Sequence, residues 1–203
     1  MSDEQIVYVI DDEPSVLKSL GWLLESAGLT VRTFGSAETF LAECTAEARG
    51  CLLLDIRMPG MSGMSLIEEL AERRIELPTI LISAHADVPL TVRAMKAGVI
   101  DVLEKPFNDE TLLERVTEAL AREREQRSKR LRDADTARRI ASLTPRERDV
   151  FELVVQGMTS KQIAAQLGIN PSTVDVHRSH VMEKLGVSTS AQLVRVAMLH
   201  SQD

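Results

Sequence analysis

Five short apolar runs recur along the first half of this chain, with an amphipathic stretch between each pair. The runs at 6–10 (IVYVI), 29–34, 51–54 (CLLL), 79–82 (TILI) and 99–103 read as strands. The segments 14–27, 36–47, 63–74 and 87–97 carry helical spacing, and a fifth helix starts near Asn108. In 63–74, Met64, Ile67 and Leu70 share one face, while Glu68, Glu69, Glu72, Arg73 and Arg74 take the rest. Strict alternation of strand and helix demands right-handed crossovers and a parallel sheet covered on both sides. The expected fold class is α/β, a doubly wound five-stranded parallel sheet.

The pattern then changes. From 118 to 141 the chain is highly charged and free of Gly and Pro, which predicts a last sheet-covering helix continuing into a helical linker. Its sparse apolar positions, Leu120, Leu131, Ala134 and Ile140, form either a weak pairing seam or part of a solvated single helix. Thr144, Pro145 and Glu147 have the spacing of a capping box with proline at the first helical position. Helices are expected at 145–156, 160–167, 171–185 and 190–201, the first three closed by Gly157, Gly168 and Gly186. Three divisions result: 1–121, a linker at 122–141, and a small all-α domain at 142–203.

Charge separates the halves more sharply than the net −7 implies. Residues 1–125 hold 12 Lys and Arg against 23 Asp and Glu; residues 126–203 hold 12 against 8. The basic half is the candidate for a polyanionic partner. Aromatic residues make up 3%, which argues against a protein that stacks single-stranded bases. Cys44 and Cys51 have neither metal-ligand nor disulfide-framework spacing. The acidic start MSDEQ lacks a secretory leader and no apolar run is long enough to span a bilayer, so a cytoplasmic protein without a membrane partner is expected.

In open parallel sheets the functional crevice lies at the carboxyl ends of the strands. Asp11, Asp12 and Glu13 follow the first strand, Asp55 ends the third, Ser83 the fourth and Lys105 the fifth. One strand-end aspartate is commonly just a helix cap. Several converging carboxylates repel one another unless a cation is present. Asp11, Asp12 and Asp55 offer the hard oxygen ligands that Mg²⁺ takes, Lys105 offsets charge and holds a phosphoryl oxygen, and Ser83 supplies a hydroxyl. That set suits phosphoryl transfer to a carboxylate, with Asp55 as nucleophile between the acidic pair and the lysine.

Asp11-Asp12, Asp55 followed by Met58-Pro59-Gly60 and Gly63, Ser83-Ala84 and Lys105-Pro106-Phe107 resemble the receiver domain of two-component response regulators, which is flavodoxin-like. The resemblance covers about 1 to 120. It implies phosphorylation of Asp55 by a partner histidine kinase and Mg²⁺ on the acidic pair, assisted by the backbone carbonyl of Arg57. It also implies that Ser83 and Lys105 contact the phosphoryl group. The family's usual aromatic residue three positions before the lysine is Val102 here, which puts an aromatic rotamer switch in doubt; Phe107 lies on the wrong side of the lysine to replace it.

The segment 160–187 has the form of a helix-turn-helix, with Ile163, Ala164 and Leu167 apolar in its first helix and Gly168 at the turn. Val174, Val181, Met182 and Leu185 give the second helix a buried side, opposite Thr173, Asp175, Val176, Arg178 and Ser179. Lys161, Arg178, His180 and Lys184 are within reach of phosphates. A basic face is commonly only a solvated one, and a lone histidine is commonly structural. Residues 143–199 taken together resemble the LuxR-type output domain, and the whole chain resembles response regulators of the NarL/FixJ family. That resemblance places Thr173, Asp175, Val176, Arg178 and Ser179 on the DNA-facing side. Where many relatives have lysine, Asp175 is suited to accepting from cytosine N4.

The expected function is a phosphorylation-dependent transcriptional regulator that binds promoter DNA as a homodimer and is not an enzyme. A turnover phosphatase working through an aspartyl-phosphate would need a substrate pocket, and the short loops leave little room. A degenerate receiver governed by partner binding alone is disfavoured by the intact Asp11, Asp12, Asp55, Ser83 and Lys105.

Overall fold

Strand β3 (Gly50–Asp55) is buried at all six positions, as a strand covered on both faces of a sheet must be. Around it lie β1 (Ile6–Ile10), β2 (Thr30–Phe34), β4 (Thr79–Ser83) and β5 (Asp101–Glu104), in the order β2-β1-β3-β4-β5. Every pairing is parallel. In this computed structural model, which describes residues 4–84 and 87–200, the connecting helices are α1 (Pro14–Ser26), α2 (Ala37–Glu43), α3 (Gly63–Glu72) and α4 (Val88–Lys96). Among the described residues, no helix is long and apolar enough to cross a membrane.

Side-chain alternation along the strands makes two apolar layers. Tyr8, Ile10, Leu52, Leu54 and Leu81 meet Phe40, Met64, Ile67 and Leu70 on one face. Val7, Val9, Cys51, Leu53, Ile80 and Ile82 meet Leu20, Leu24, Leu112 and Val116 on the other. In the first layer the Phe40 ring stands edge-on to Tyr8 at 5.5 Å and to Phe34 at 5.3 Å, a favourable aromatic geometry. Burial in the second pushes the Cys51 thiol up to about 12, with the charge of Glu123 adding to the shift, so this cysteine behaves as a core apolar group.

Helix α5 runs unbroken from Asp109 to Ala141. Leu112, Val116, Ala119 and Leu120 pack on the sheet, and buried Glu123 accepts a 2.6 Å hydrogen bond from the Gln5 amide. No residue from 124 to 139 is buried, and Ile140 then enters a second core. The chain accordingly divides into compact units between Gln126 and Arg127, inside the helix and within the stretch read as a linker, with packing against the first unit continuing through Glu123. Of the four apolar positions, Leu120 and Ile140 belong to different cores, and Leu131 and Ala134 are exposed.

The second unit adds α6 (Pro145–Val155), α7 (Ser160–Leu167), α8 (Pro171–Leu185) and α9 (Ser190–His200). Thr144 forms the expected capping box with Glu147, and Thr159 forms another with Gln162. Gly168 closes α7 in the left-handed region at φ 65°, which makes the tight turn into α8.

Gly50 starts β3 at φ +122°, and a Cβ there would lie 1.8 Å from the Ile6 carbonyl oxygen. We expect Gly50→Ala to destabilise the first unit by about 3 kcal/mol or more, measured by chemical denaturation.

Candidate functional site

Parallel pairing brings the ends of β1, β3, β4 and β5 to one edge, and the chemistry gathers there. Asp11 is buried just past β1; its Oδ1 accepts from the Glu13 amide at 2.9 Å. Asp55 is buried at the end of β3, and its Oδ2 accepts from the Arg57 amide at 2.7 Å. The other oxygen of each carboxylate goes to one cation. Lys105 Nζ donates to Asp55 Oδ1 at 2.8 Å and to Asp11 Oδ2 at 3.0 Å.

The backbone aims that lysine. Its amide donates to the Ser83 carbonyl at 2.7 Å, extending the β4–β5 ladder past its last paired residues. Burial works to lower the Lys105 pKa, but the hydrogen bonds and charges of Asp55 and Asp11 outweigh it and hold it above its usual value. The ammonium therefore remains charged at neutral pH and bridges two adjacent carboxylates, offsetting one of their two negative charges. Ser83 is buried beside them at the end of β4, and Asp12 is exposed. Gly63 explains part of the pattern that follows Asp55: its amide donates to the Ile56 carbonyl, and a Cβ there would meet the Asp55 carbonyl oxygen at 2.5 Å.

Among the described residues, no three acidic, His or Cys side chains are gathered tightly enough to hold an ion by themselves. Mg²⁺ needs no such cage, since it is held through one or two carboxylates with waters completing the shell. The oxygen donors of Asp11, Asp12, Asp55 and the Arg57 carbonyl fit that chemistry. Val102 is half-buried against the layer of α3 and α4, whereas Phe107 packs into the opposite layer. The two positions are thus on different sides of the sheet.

In the second unit α7, the turn and α8 form a helix-turn-helix. Val174, Val181 and Leu185 bury one side of α8, with Met182 half-buried beside them. Thr173, Asp175, Val176, Ser179, His180 and Lys184 are exposed, as is Lys161 on α7. Arg178 departs from the expected face. It is half-buried, and its guanidinium donates to Ser190 at 2.7 Å and to Ser160 at 3.4 Å. Lys184 is engaged as well, donating to buried Glu147 at 2.6 Å, with His180 Nδ1 4.0 Å from the same carboxylate. Ser160, Ser190 and Glu147 are hydrogen-bonding neighbours of α8; helical periodicity gives no sign of these contacts, although the sequence spacing places Glu147 in a capping box.

Family comparison decides what this arrangement belongs to. Residues 7–117 match the response regulator receiver domain, and residues 141–197 match the bacterial regulatory proteins of the luxR family. The transcriptional regulatory protein FixJ of Azorhizobium caulinodans is 44% identical over 98% of this chain and 94% of its own. The chain belongs to the NarL/FixJ family of response regulators. This response regulator is also similar to TodT of Pseudomonas putida, 42% identical over 97% of this chain and 87% of that protein. Among solved structures, the response regulator StyR superposes with a TM-score of 0.88, 45% identity and coverage of 96% and 98% of the two chains. Full-length FixJ from B. japonicum gives 0.61 at 37% identity, with both chains covered completely. The family makes this regulator a two-component transcriptional regulator with a DNA-binding output domain.

The hydrogen bonds from Lys184 and from the Thr144 amide hold the Glu147 carboxyl down to about 2, below its ordinary 4.5. A depressed carboxyl pKa stabilises the folded state above the unfolded value and loses that contribution as pH falls through the folded one. We expect the output domain to lose stability between about pH 4.5 and 2, and Glu147→Gln to remove much of that dependence in thermal melts.

Proposed function

We propose that this response regulator accepts a phosphoryl group on Asp55 from a phosphohistidine of a histidine kinase and then binds promoter DNA as a homodimer. The supporting observation is the Lys105 ammonium shared between Asp55 and Asp11 at the carboxyl edge of the sheet. An Asp55 oxygen attacks phosphorus, the P–O bond forms as the P–N bond breaks, and the imidazole leaves to take up a proton. Mg²⁺ held by Asp11, Asp12, Asp55 and the Arg57 carbonyl would neutralise charge on the transferring group. Lys105 exchanges a carboxylate oxygen for a phosphoryl oxygen, and the Ser83 hydroxyl donates to another.

The chain acts as a stoichiometric acceptor rather than a turnover enzyme, assisting only its own phosphorylation and dephosphorylation. With valine at 102, the signal travels by repacking of the 87–107 face rather than by rotation of an aromatic ring. Pairing of two chains then aligns two copies of α8 with adjacent major-groove half-sites. A cytoplasmic setting, with kinase and DNA as partners, follows from this reading.

Intact mass after incubation with Mg²⁺ and a small phosphodonor tests the first step. Wild type should gain one phosphoryl adduct that chelator abolishes, and Asp55→Asn should gain none. An adduct of equal yield on Asp55→Asn would overturn the assignment.

A further inference from the structure

The exposed carboxylate of Asp175 invites a reading as a base contact, but it is already engaged. Its Oδ1 accepts a 2.7 Å hydrogen bond from the hydroxyl of Ser160, the first residue of α7. The same hydroxyl accepts from Arg178 Nη1 at 3.4 Å, and Arg178 Nη2 donates at 2.7 Å to Ser190, the first residue of α9. Asp175, Ser160, Arg178 and Ser190 thus make one polar chain joining three helices along a single flank of α8.

The apolar packing of α8 explains why such a chain matters. Val174, Val181 and Leu185 are its buried residues, a stripe narrow enough to fix the distance of the helix from the core better than its rotation. Lys184 ties the C-terminal end to Glu147 of α6. In the N-terminal half the ties run through Asp175 and Arg178. On a helix of about 5 to 6 Å radius, a rotation of roughly 10° moves a side-chain tip by about 1 Å, enough to spoil a hydrogen bond to a base edge. Thr173, Val176, Ser179 and His180 stay exposed on the remaining surface.

We propose that Asp175 is a positioning residue that sets the rotation of α8 through the Ser160 hydroxyl, so that it governs which bases Thr173, Val176 and Ser179 read without contacting one itself. One oxygen of Asp175 is engaged by the Ser160 hydroxyl, and Arg178 serves the same lock instead of a phosphate. This inference rests on DNA binding through α8.

The test selects bound sequences from a duplex pool with randomised positions, using the full chain treated with Mg²⁺ and phosphodonor. Wild type is compared with Ser160→Ala, Asp175→Ala, Asp175→Asn and the double variant Ser160→Ala/Asp175→Ala. Both alanine variants should relax the same base positions, each by about tenfold in discrimination, and the double variant should go no further. Asp175→Asn should restore the wild-type preference, because its amide oxygen accepts from the same hydroxyl. A preference left intact by Ser160→Ala but changed at one base pair by Asp175→Ala would make Asp175 a direct contact and overturn the proposal. Uniform weakening with unchanged preference in both would overturn it too. Failure of the wild-type chain to enrich any sequence would instead sink DNA binding through α8, and the inference with it.

Discussion

A single ammonium group between two buried carboxylates is the constraint around which the receiver is arranged. Asp11 and Asp55 sit on neighbouring strands with little solvent to screen them, and unpaired they would repel each other strongly. Lys105 reaches both from the far side of the sheet because β4 lies between β3 and β5 and the Ser83 carbonyl takes the lysine amide. The five-stranded order is therefore also an electrostatic solution, in which the positive charge arrives from 50 residues away from one partner and 94 from the other. The remaining carboxylate oxygens accept backbone amides, which orient the pair, while the single ammonium offsets only one of its two negative charges.

The output domain applies the same physics at lower density. Glu147 is buried at the start of α6, where it serves a capping box and holds Lys184 of α8. Asp175 and Arg178 are hydrogen-bonded to Ser160 and Ser190 of neighbouring helices. Polar groups on α8 therefore include several that tie the helix to its neighbours, the exposed Asp175 and Lys184 among them. A count of positive charge overstates what is available to a polyanion.

Much of the fold was legible because its signals are local. Strand and helix alternate with different apolar periods, and α7 and α8 fall where their caps and glycines place them. The Asp11, Asp55, Ser83 and Lys105 set was legible for a related reason: strand ends of a parallel sheet share one edge, so residues distant in sequence can be assigned to one site. The roles of Arg178 and Lys184 were not. Whether a helix-surface cation faces solvent or a partner depends on which neighbour arrives from another helix, and Glu147 lies 37 residues before Lys184. The division inside α5 falls within the linker expected at 122–141, but a uniformly helical, charged sequence carries no mark of the residue at which packing stops.

That shared helix also limits how the two modules can be exchanged between proteins. A recombination point at the end of the receiver match, residue 117, would strip Ala119, Leu120 and Glu123 from the first core. A point just after 141 would hand Ile140 to the wrong parent. Only the interval from 124 to 139, where no side chain is buried, lets a new output domain be joined without opening either interior. The charged middle of α5 is thus a seam at which such regulators can be reassorted, because no residue there is buried in either core.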